Sequence, residues 1–241
     1  YKPAPVVGMR PALIARLLAG QPAGEFIPQD VTNQLLEAYD IPTVRPLLAV
    51  TVDDAVLIAA RLGYPVVLKV ASPDISHKSD VGGVLLNLHD AAEVADGFQT
   101  VMLSASAARP DARLEGVHVQ RMLPPGQEVI LGVVQDPQFG PMVMFGSGGV
   151  EVEGLKDVAF ALAPLSITEA EEMLESTWAG RKLLGFRNLP PADREAVVKC
   201  LTHLAQLAVD FPQIAEIEIN PLRVLPAGHG AYAIDVRARM K

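Results

Sequence analysis

Glu216, Glu218 and Asn220 stand two residues apart in Glu216-Ile-Glu-Ile-Asn-Pro-Leu222. In an extended strand such residues share a face, so Ile217 and Ile219 point the other way, into a core. Asp235, between Ile234 and Val236 on what reads as the neighbouring strand, is placed to meet that acidic face. Two or three oxygen donors on a rigid sheet are what Mg²⁺ accepts while it keeps waters and takes phosphate oxygens from a nucleotide. A solvent-facing strand with ordinary charge alternation has the same spacing. Against it, Asn is a poor strand residue and Asp235 is an isolated acid among apolar neighbours.

Lys69 ends the charge-free run Tyr64-Pro-Val-Val-Leu-Lys69. A lysine in such a strand needs a partner or a route to water. A triphosphate would supply the partner, with the ammonium as a point charge. A lysine guarding an edge strand is the competing reading. Next comes the polar loop Ser72-Pro-Asp-Ile-Ser-His-Lys-Ser-Asp-Val-Gly-Gly83. Gly82 and Gly83 would let backbone N–H groups approach phosphate oxygens. His77 is either an ordinary solvated imidazole or a nucleophile toward a phosphoryl group, since its neutral form is well populated near neutral pH. Gly146-Ser-Gly-Gly149, opening an acidic stretch to Gly154, fits neither the dinucleotide fingerprint nor a P-loop. It reads as a phosphate loop, a lid or a plain turn.

These groups need elements to hold them. Helices are expected over Pro11–Leu18 and Val31–Tyr39, and from Asp53 to Leu62, with Thr51 as N-cap and Gly63 as stop. Another starts after Asp90, with Glu93 three residues on. Further helices are expected from Thr168 to Thr177 and over Ala192–Val209, where Val197, Leu201, Leu204 and Ala208 recur at helical spacing. Strands are expected at Tyr64–Ala71, Val84–Leu88, Gly116–Met122, Glu128–Val134, Met142–Phe145, Ala215–Asn220 and Ala231–Val236. The Glu128 and Met142 strands are joined as a hairpin. Helices and strands mix without strict alternation, so the class is α+β.

The chain has 241 residues, half of them hydrophobic and 20% charged, an ordinary globular composition. No apolar run reaches the roughly 18 residues a membrane helix needs. A net charge of −8 without a basic run argues against nucleic acid as partner. Cys200 is the only cysteine, so a buried, inert thiol and a reducing cytoplasm are expected. The start at Tyr1, without Met or an apolar leader, fits a fragment or a processed chain.

Together these pieces resemble the ATP-grasp domain of NDP-forming acyl-CoA synthetases, which include the ADP-forming acetate–CoA ligases. More distantly they resemble the succinyl-CoA synthetase β subunit. The likeness is carried by Leu35-Leu-Glu-Ala-Tyr-Asp-Ile-Pro42, Tyr64-Pro-Val-Val-Leu-Lys69 and Ser76-His-Lys-Ser-Asp-Val-Gly-Gly83. It continues in Gln135-Asp-Pro-Gln-Phe-Gly-Pro141, Lys156-Asp-Val-Ala-Phe160 and Glu216-Ile-Glu-Ile-Asn-Pro-Leu222. It implies a two-lobed ATP-grasp fold behind a short helical N-terminal segment: residues 1–29 as linker and helix, 30–118 as small lobe, 119–241 as large lobe.

The resemblance further implies that Lys69 contacts nucleotide phosphates and that Gln120, Arg121 and Met122 meet adenine through backbone groups. Glu128 would hold the ribose, Glu218, Asn220 and Asp235 the magnesium, and Gly82, Gly83, Gly148 and Gly149 would line the nucleotide. His77 would receive a phosphoryl group and pass it to ADP. Two departures stand out: Ala161-Leu162 precede Ala163-Pro-Leu where relatives have arginine, and Ser147 stands in the glycine loop. The implied activity is that of an acid–thiol ligase working with ATP or ADP and Mg²⁺, completed by a CoA-binding and ligase domain or α subunit. Alternatives are a regulatory domain of a protein lysine acetyltransferase and a carboxylate–amine ligase.

Overall fold

The computed structural model describes residues 10–75, 77–148 and 157–241. Helix α1 (Pro11–Leu18) starts on a proline, which is pre-set for a first turn, and buries Ile14 and Leu18 one turn apart. Helix α2 (Gln29–Ala38) buries Leu35 and Leu36 and leads into Tyr39 and Ile41, both fully buried.

Residues Val44–Pro124 form one compact unit. Strand β1 (Leu47–Ala49) leads to helix α3 (Val52–Leu62). Asp54 N–H donates to the Thr51 hydroxyl oxygen and Thr51 N–H donates back to the Asp54 carboxylate, a reciprocal cap. Strand β2 (Val66–Ala71), a 3₁₀ turn at Ser79–Val81 and strand β3 (Val84–Leu88) follow. Helix α4 (Ala91–Ala108) is capped by Asp90, which accepts from Glu93 N–H. Glu93 reaches back one residue further than a capping box requires, to His89 N–H. Strand β4 (Gly116–Arg121) completes an antiparallel sheet in the order β1-β4-β2-β3. Its core face packs Val66, Leu68, Val70, Val117 and Val119 against Ala55, Ala59, Val94 and Val101 of the two helices.

The second unit holds the residues up to Thr43 together with Pro125–Lys241. Strands β5 (Gln127–Asp136) and β6 (Gly140–Ser147) form the expected hairpin, turned by the Asp136 carboxylate, which accepts from Gln138 and Phe139 N–H. Strand β7 (Val158–Leu162) is an addition that the sequence reading did not contain. Helices α5 (Ile167–Ser176), α6 (Trp178–Lys182) and α7 (Arg194–Asp210) precede strands β8 (Ile214–Val224), β9 (Ala231–Ala233) and β10 (Val236–Met240). The sheet order is β10-β8-β5-β6-β7, with β9 also paired to β8.

One face of this sheet is packed by α5 and α7, through Met173, Leu174, Leu201 and Leu204 among others. Each such fully buried aliphatic side chain is worth about 1.5–3 kcal/mol relative to exposure. Leu35, Leu36 and Tyr39 belong to the same cluster. Residues 30–43 therefore pack with the larger sheet and not with the small lobe to which the sequence assigned them. The chain passes from one unit to the other at Pro124–Pro125, later than the expected 118/119 boundary.

Tyr39 fixes this corner: its hydroxyl donates to Asp210, and its carbonyl lies 2.7 Å from His203 Nδ1. Burial and the Asp210 acceptor push the phenol above its usual range. Burial likewise pushes the Cys200 thiol up to about 12, so it is the inert core residue expected.

The closing strands differ from expectation in an informative way. Strand β8 runs through Asn220-Pro221, and the returning chain is two strands, with Asp235 in the bend between them. Ile219 pairs with Val236 and Leu222 with Ala233, which sets Asn220-Pro221 opposite Ile234-Asp235. Proline has no N–H for the ladder, so regular pairing breaks there. Asp235 is thus not inside a strand; it stands where the strand is interrupted.

Candidate functional site

In the Val44–Pro124 unit, Lys69 lies on β2, which has β4 on one side and β3 on the other. It is therefore not an edge-strand lysine, and that competing explanation falls. Its neighbours Leu68 and Val70 face the helices, so Lys69 faces the opposite side of the sheet and is half-buried. Directly across the ladder is His118 on β4, also half-buried.

His77 is exposed in the loop after β2. The loop folds back by two contacts: Gly83 N–H donates to the Lys78 carbonyl (2.8 Å), and Val70 N–H donates to the Gly83 carbonyl (2.7 Å). A Cβ on Gly83 would sit 2.5 Å from Val70 Cγ1 and 2.8 Å from that Lys78 carbonyl, so close packing requires glycine here. Gly82 adopts a φ of +64° and ends the 3₁₀ turn. The N–H groups of both glycines are spent on the loop itself, on Ser79 and Lys78.

At the end of β4, Gln120 is buried, with its amide donating to the Val44 carbonyl at 2.5 Å. Arg121 is exposed, and Met122 donates its N–H to the Pro65 carbonyl.

In the second unit, the sheet face turned away from α5 and α7 is charged. Glu128 on β5 meets Arg223 on β8 at 2.5 Å, and Glu216 meets Arg239 at 3.0 Å. Glu218 lies opposite Arg237 in the ladder. Asn220 donates its side-chain amide to Glu218 Oε1 (3.3 Å) and its N–H to the Asp235 carbonyl (3.0 Å). The strand break thus sets the Asn220 side chain beside Glu218 and its backbone beside that of Asp235. Two carboxylates and an amide oxygen, without thiol or imidazole, suit a hard divalent cation such as Mg²⁺. Among the described residues no three His, Cys, Asp or Glu side chains form a metal-sized group. Beside Glu218 a cavity of about 260 Å³ opens, lined by Phe26, Gly132, Met144, Phe160 and Arg237 among others.

Gly148 is buried, and a Cβ there would strike the Val129 backbone at 2.7 Å. Gly149 and the acidic stretch after it lie outside the described residues. Beyond that stretch Asp157 accepts from Trp178 N–H (2.6 Å), Ala179 N–H (2.7 Å) and the Ser147 hydroxyl (2.8 Å). Burial works to raise its carboxyl, but the Ala179, Trp178 and Ser147 donors and Arg181 outweigh it and hold it below the usual range. Asp157 ties the end of β6 to the first turn of α6.

Sequence reasoning singled out neither Asp157 nor His118. The family likeness spanning Lys156–Phe160 was the one signal for the first. For the second there was none, because only strand register sets it beside Lys69.

A family model for the ATP-grasp domain matches residues 23–240. The chain is 46% identical over 195 residues to acetate–CoA ligase [ADP-forming] I of Archaeoglobus fulgidus, covering 81% of this chain and 28% of that protein. It is 43% identical over 205 residues to the β subunit of acetate–CoA ligase [ADP-forming] I of Pyrococcus furiosus, covering 85% of this chain and 88% of that one. The chain therefore spans little more than a quarter of the single-chain relative and most of the separate β subunit. A solved structure of Ca. Korarchaeum cryptofilum acetyl-coenzyme A synthetase 1 superposes with a TM-score of 0.81 at 35% identity, covering 95% of this chain and 100% of that one. That protein was solved with coenzyme A and Mg-AMPPCP, its phosphohistidine segment pointing towards the nucleotide binding site.

Proposed function

The chain belongs to the ATP-grasp family and matches the β subunit of ADP-forming acetate–CoA ligases; from that premise we propose that it is the nucleotide-binding part of an ADP-forming acyl-CoA synthetase. The observation that carries this reading is Lys69, a half-buried lysine on an interior strand, facing away from the core and followed by a loop that exposes His77. An ammonium on that face is suited to offset the charge of a nucleotide polyphosphate, the anion this family handles.

In the proposed reaction a His77 ring nitrogen accepts a phosphoryl group and donates it to the terminal β-phosphate oxygen of ADP. The N–P bond breaks as the O–P bond of ATP forms, and the imidazole returns to its neutral state. Lys69 would offset charge on the transferring group, which is most of what such transfers need. Gln120, Arg121 and Met122 would border adenine, and Glu128, held by Arg223, the ribose. Gly82, Gly83 and Gly148 would line the nucleotide, as would Gly149, which lies outside the described residues. Glu218, Asn220 and Asp235 would hold Mg²⁺, which when bound neutralises phosphate charge.

The relatives named above are ligases, which favours a synthetase over a regulatory module of an acetyltransferase. The acyl chemistry would then fall to a CoA-binding and ligase domain or α subunit, in the cytoplasm. No helix among the described residues is long and apolar enough to cross a membrane.

The test is incubation with Mg²⁺ and γ-labelled ATP. Acid-labile, base-stable label that disappears in His77→Ala, while Mg·ADP still binds, is the expected result. Label that persists in His77→Ala sinks the assignment of His77, and a chain that binds no nucleotide sinks the whole reading.

A further inference from the structure

The face of the small sheet that carries Lys69 holds a second titratable group that the reaction above does not use. His118 is the cross-strand partner of Lys69, and its β1 partner is the apolar Leu48. Directly paired residues of an antiparallel ladder share a face, about 4.5–5.5 Å apart at Cβ. Val117 and Val119, the chain neighbours of His118, point into the core under α3 and α4, so the helices bring no charge to the imidazole.

The charged groups that bear on His118 are Lys69 from β2, Lys78 from the loop after β2, and Glu115 just before β4. Glu115 is also 3.4 Å from Arg113, which divides its influence. Burial first, then the Lys78 and Lys69 ammonium groups, hold the imidazole below its usual range, and Glu115 only partly opposes them. The free protein therefore keeps a neutral imidazole across the ladder from Lys69 near neutral pH. Two basic side chains paired on one half-buried sheet face, with a third acting on them from the adjoining loop, suit a polyanion.

We propose that His118 is a further phosphate-binding residue, completing a cradle with Lys69 and Lys78, and that it takes up a proton from solvent as the nucleotide polyphosphate docks. The inference rests on the nucleotide reading above and adds to it a ligand and a linkage. An incoming polyphosphate reverses the local field, so the imidazolium that two lysines disfavour becomes the stable form. Linkage fixes the sign: if the complex binds more protons than the free protein, affinity falls as pH rises. His118 also differs from His77 in role, since it sits in the sheet and not on the exposed loop.

The experiment is calorimetric titration of the whole chain with Mg·ADP in two buffers of different ionisation heat. It is run at about pH 7.5, above the second phosphate ionisation near 6. The unsubstituted chain is expected to take up a net fraction of a proton. His118→Gln is expected to lose that uptake and bind about tenfold more weakly, the scale of one charge-assisted contact. His118→Lys, with a permanent charge, is expected to regain most of the affinity without any uptake. Nucleotide binding by the unsubstituted chain with no proton uptake overturns the proposal without needing any variant to fold. Equal affinity and equal uptake in His118→Gln overturn it as well, and in both cases the nucleotide reading stands. Only failure of the unsubstituted chain to bind Mg·ADP removes both.

Discussion

The two sheets treat charge in opposite ways. On the larger sheet nearly every acid has an arginine across the ladder: Glu128 with Arg223, Glu216 with Arg239, Glu218 opposite Arg237. On the smaller sheet the outward face pairs Lys69 with His118, whose imidazole also feels Lys78 and one glutamate that serves Arg113 as well. A sheet that balances its own charges can be stable without a ligand and needs only a local break to present oxygen donors. A face that sets basic groups side by side is suited to a polyanion. The first arrangement suits the proposed metal site, the second the proposed phosphate site.

The largest expected effect comes from altering the larger sheet at the break beside Pro221. Asp235→Asn or Glu218→Gln should weaken Mg·ADP binding on the order of 100-fold, about 3 kcal/mol. Thermal stability should hardly move, because Glu218 is exposed and Asp235 half-buried. Glu216→Gln is the internal control: its carboxylate is engaged with Arg239, and exposed pairs contribute only about 0–1 kcal/mol. Titration calorimetry with and without Mg²⁺ reads all three. Equal losses in Glu216→Gln and Glu218→Gln would erase the distinction between paired acids and metal-holding acids.

Next in size is Lys69→Met, which leaves an apolar side chain on an interior strand. Affinity for Mg·ADP should fall about tenfold while the melting temperature stays level or rises, since a half-buried charge is removed. A drop in melting temperature with unchanged binding would make Lys69 a structural residue and undo the contrast between the sheets.

How much of this was legible beforehand follows from how local each signal is. Thr51 and Asp90 cap α3 and α4 as read, because a cap is decided within four residues. The alternation of Glu216, Glu218 and Asn220 against Ile217 and Ile219 also held, since period two belongs to the strand itself. Asp235 was misplaced into a strand because its neighbours are apolar, and the cause of the break, Pro221, lies on the partner strand. Strand β7 escaped because Val158, Phe160 and Leu162 are its exposed residues, the reverse of the pattern that marks a half-buried strand. The resemblance puts residues 30–43 in the small lobe, whereas Leu35, Leu36 and Tyr39 fill the larger core. His118 needed the register of β2 against β4, which no window of sequence contains.

A smaller effect tests whether the glycine pair after His77 shapes its own loop or touches the ligand. Gly83→Ala would drive a Cβ to 2.5 Å from Val70 Cγ1, so the loop or β2 must shift. Overpacking of this kind costs about 1–3 kcal/mol. Denaturant unfolding should show that loss, with nucleotide affinity reduced only as far as the loop is displaced. Full stability with lost affinity would mean that the backbone at Gly83 meets the ligand directly.

The smallest effect concerns the larger sheet, and its sign is fixed by Asp157. This carboxylate accepts from Trp178 N–H, Ala179 N–H and the Ser147 hydroxyl, and these donors hold it below the usual carboxylate range although burial opposes them. A group depressed in the folded state contributes stability above its unfolded value near 3.9, and that contribution is lost as pH falls through the lower folded value. Asp157→Asn keeps the shape but exchanges charge-assisted acceptors for a neutral amide, a cost of about 1–2 kcal/mol near neutral pH. The gap between the two proteins should therefore be widest near neutrality and close as pH drops below about 4. Trp178 is the only tryptophan in the chain, and its own N–H is one of the donors. Its fluorescence therefore follows unfolding of the larger-sheet unit alone, without interference from the Val44–Pro124 unit. A gap that stays constant across that range would show that Asp157 acts by shape and not by charge, and the larger sheet's use of paired charge would not extend to the strap that ties β6 to α6.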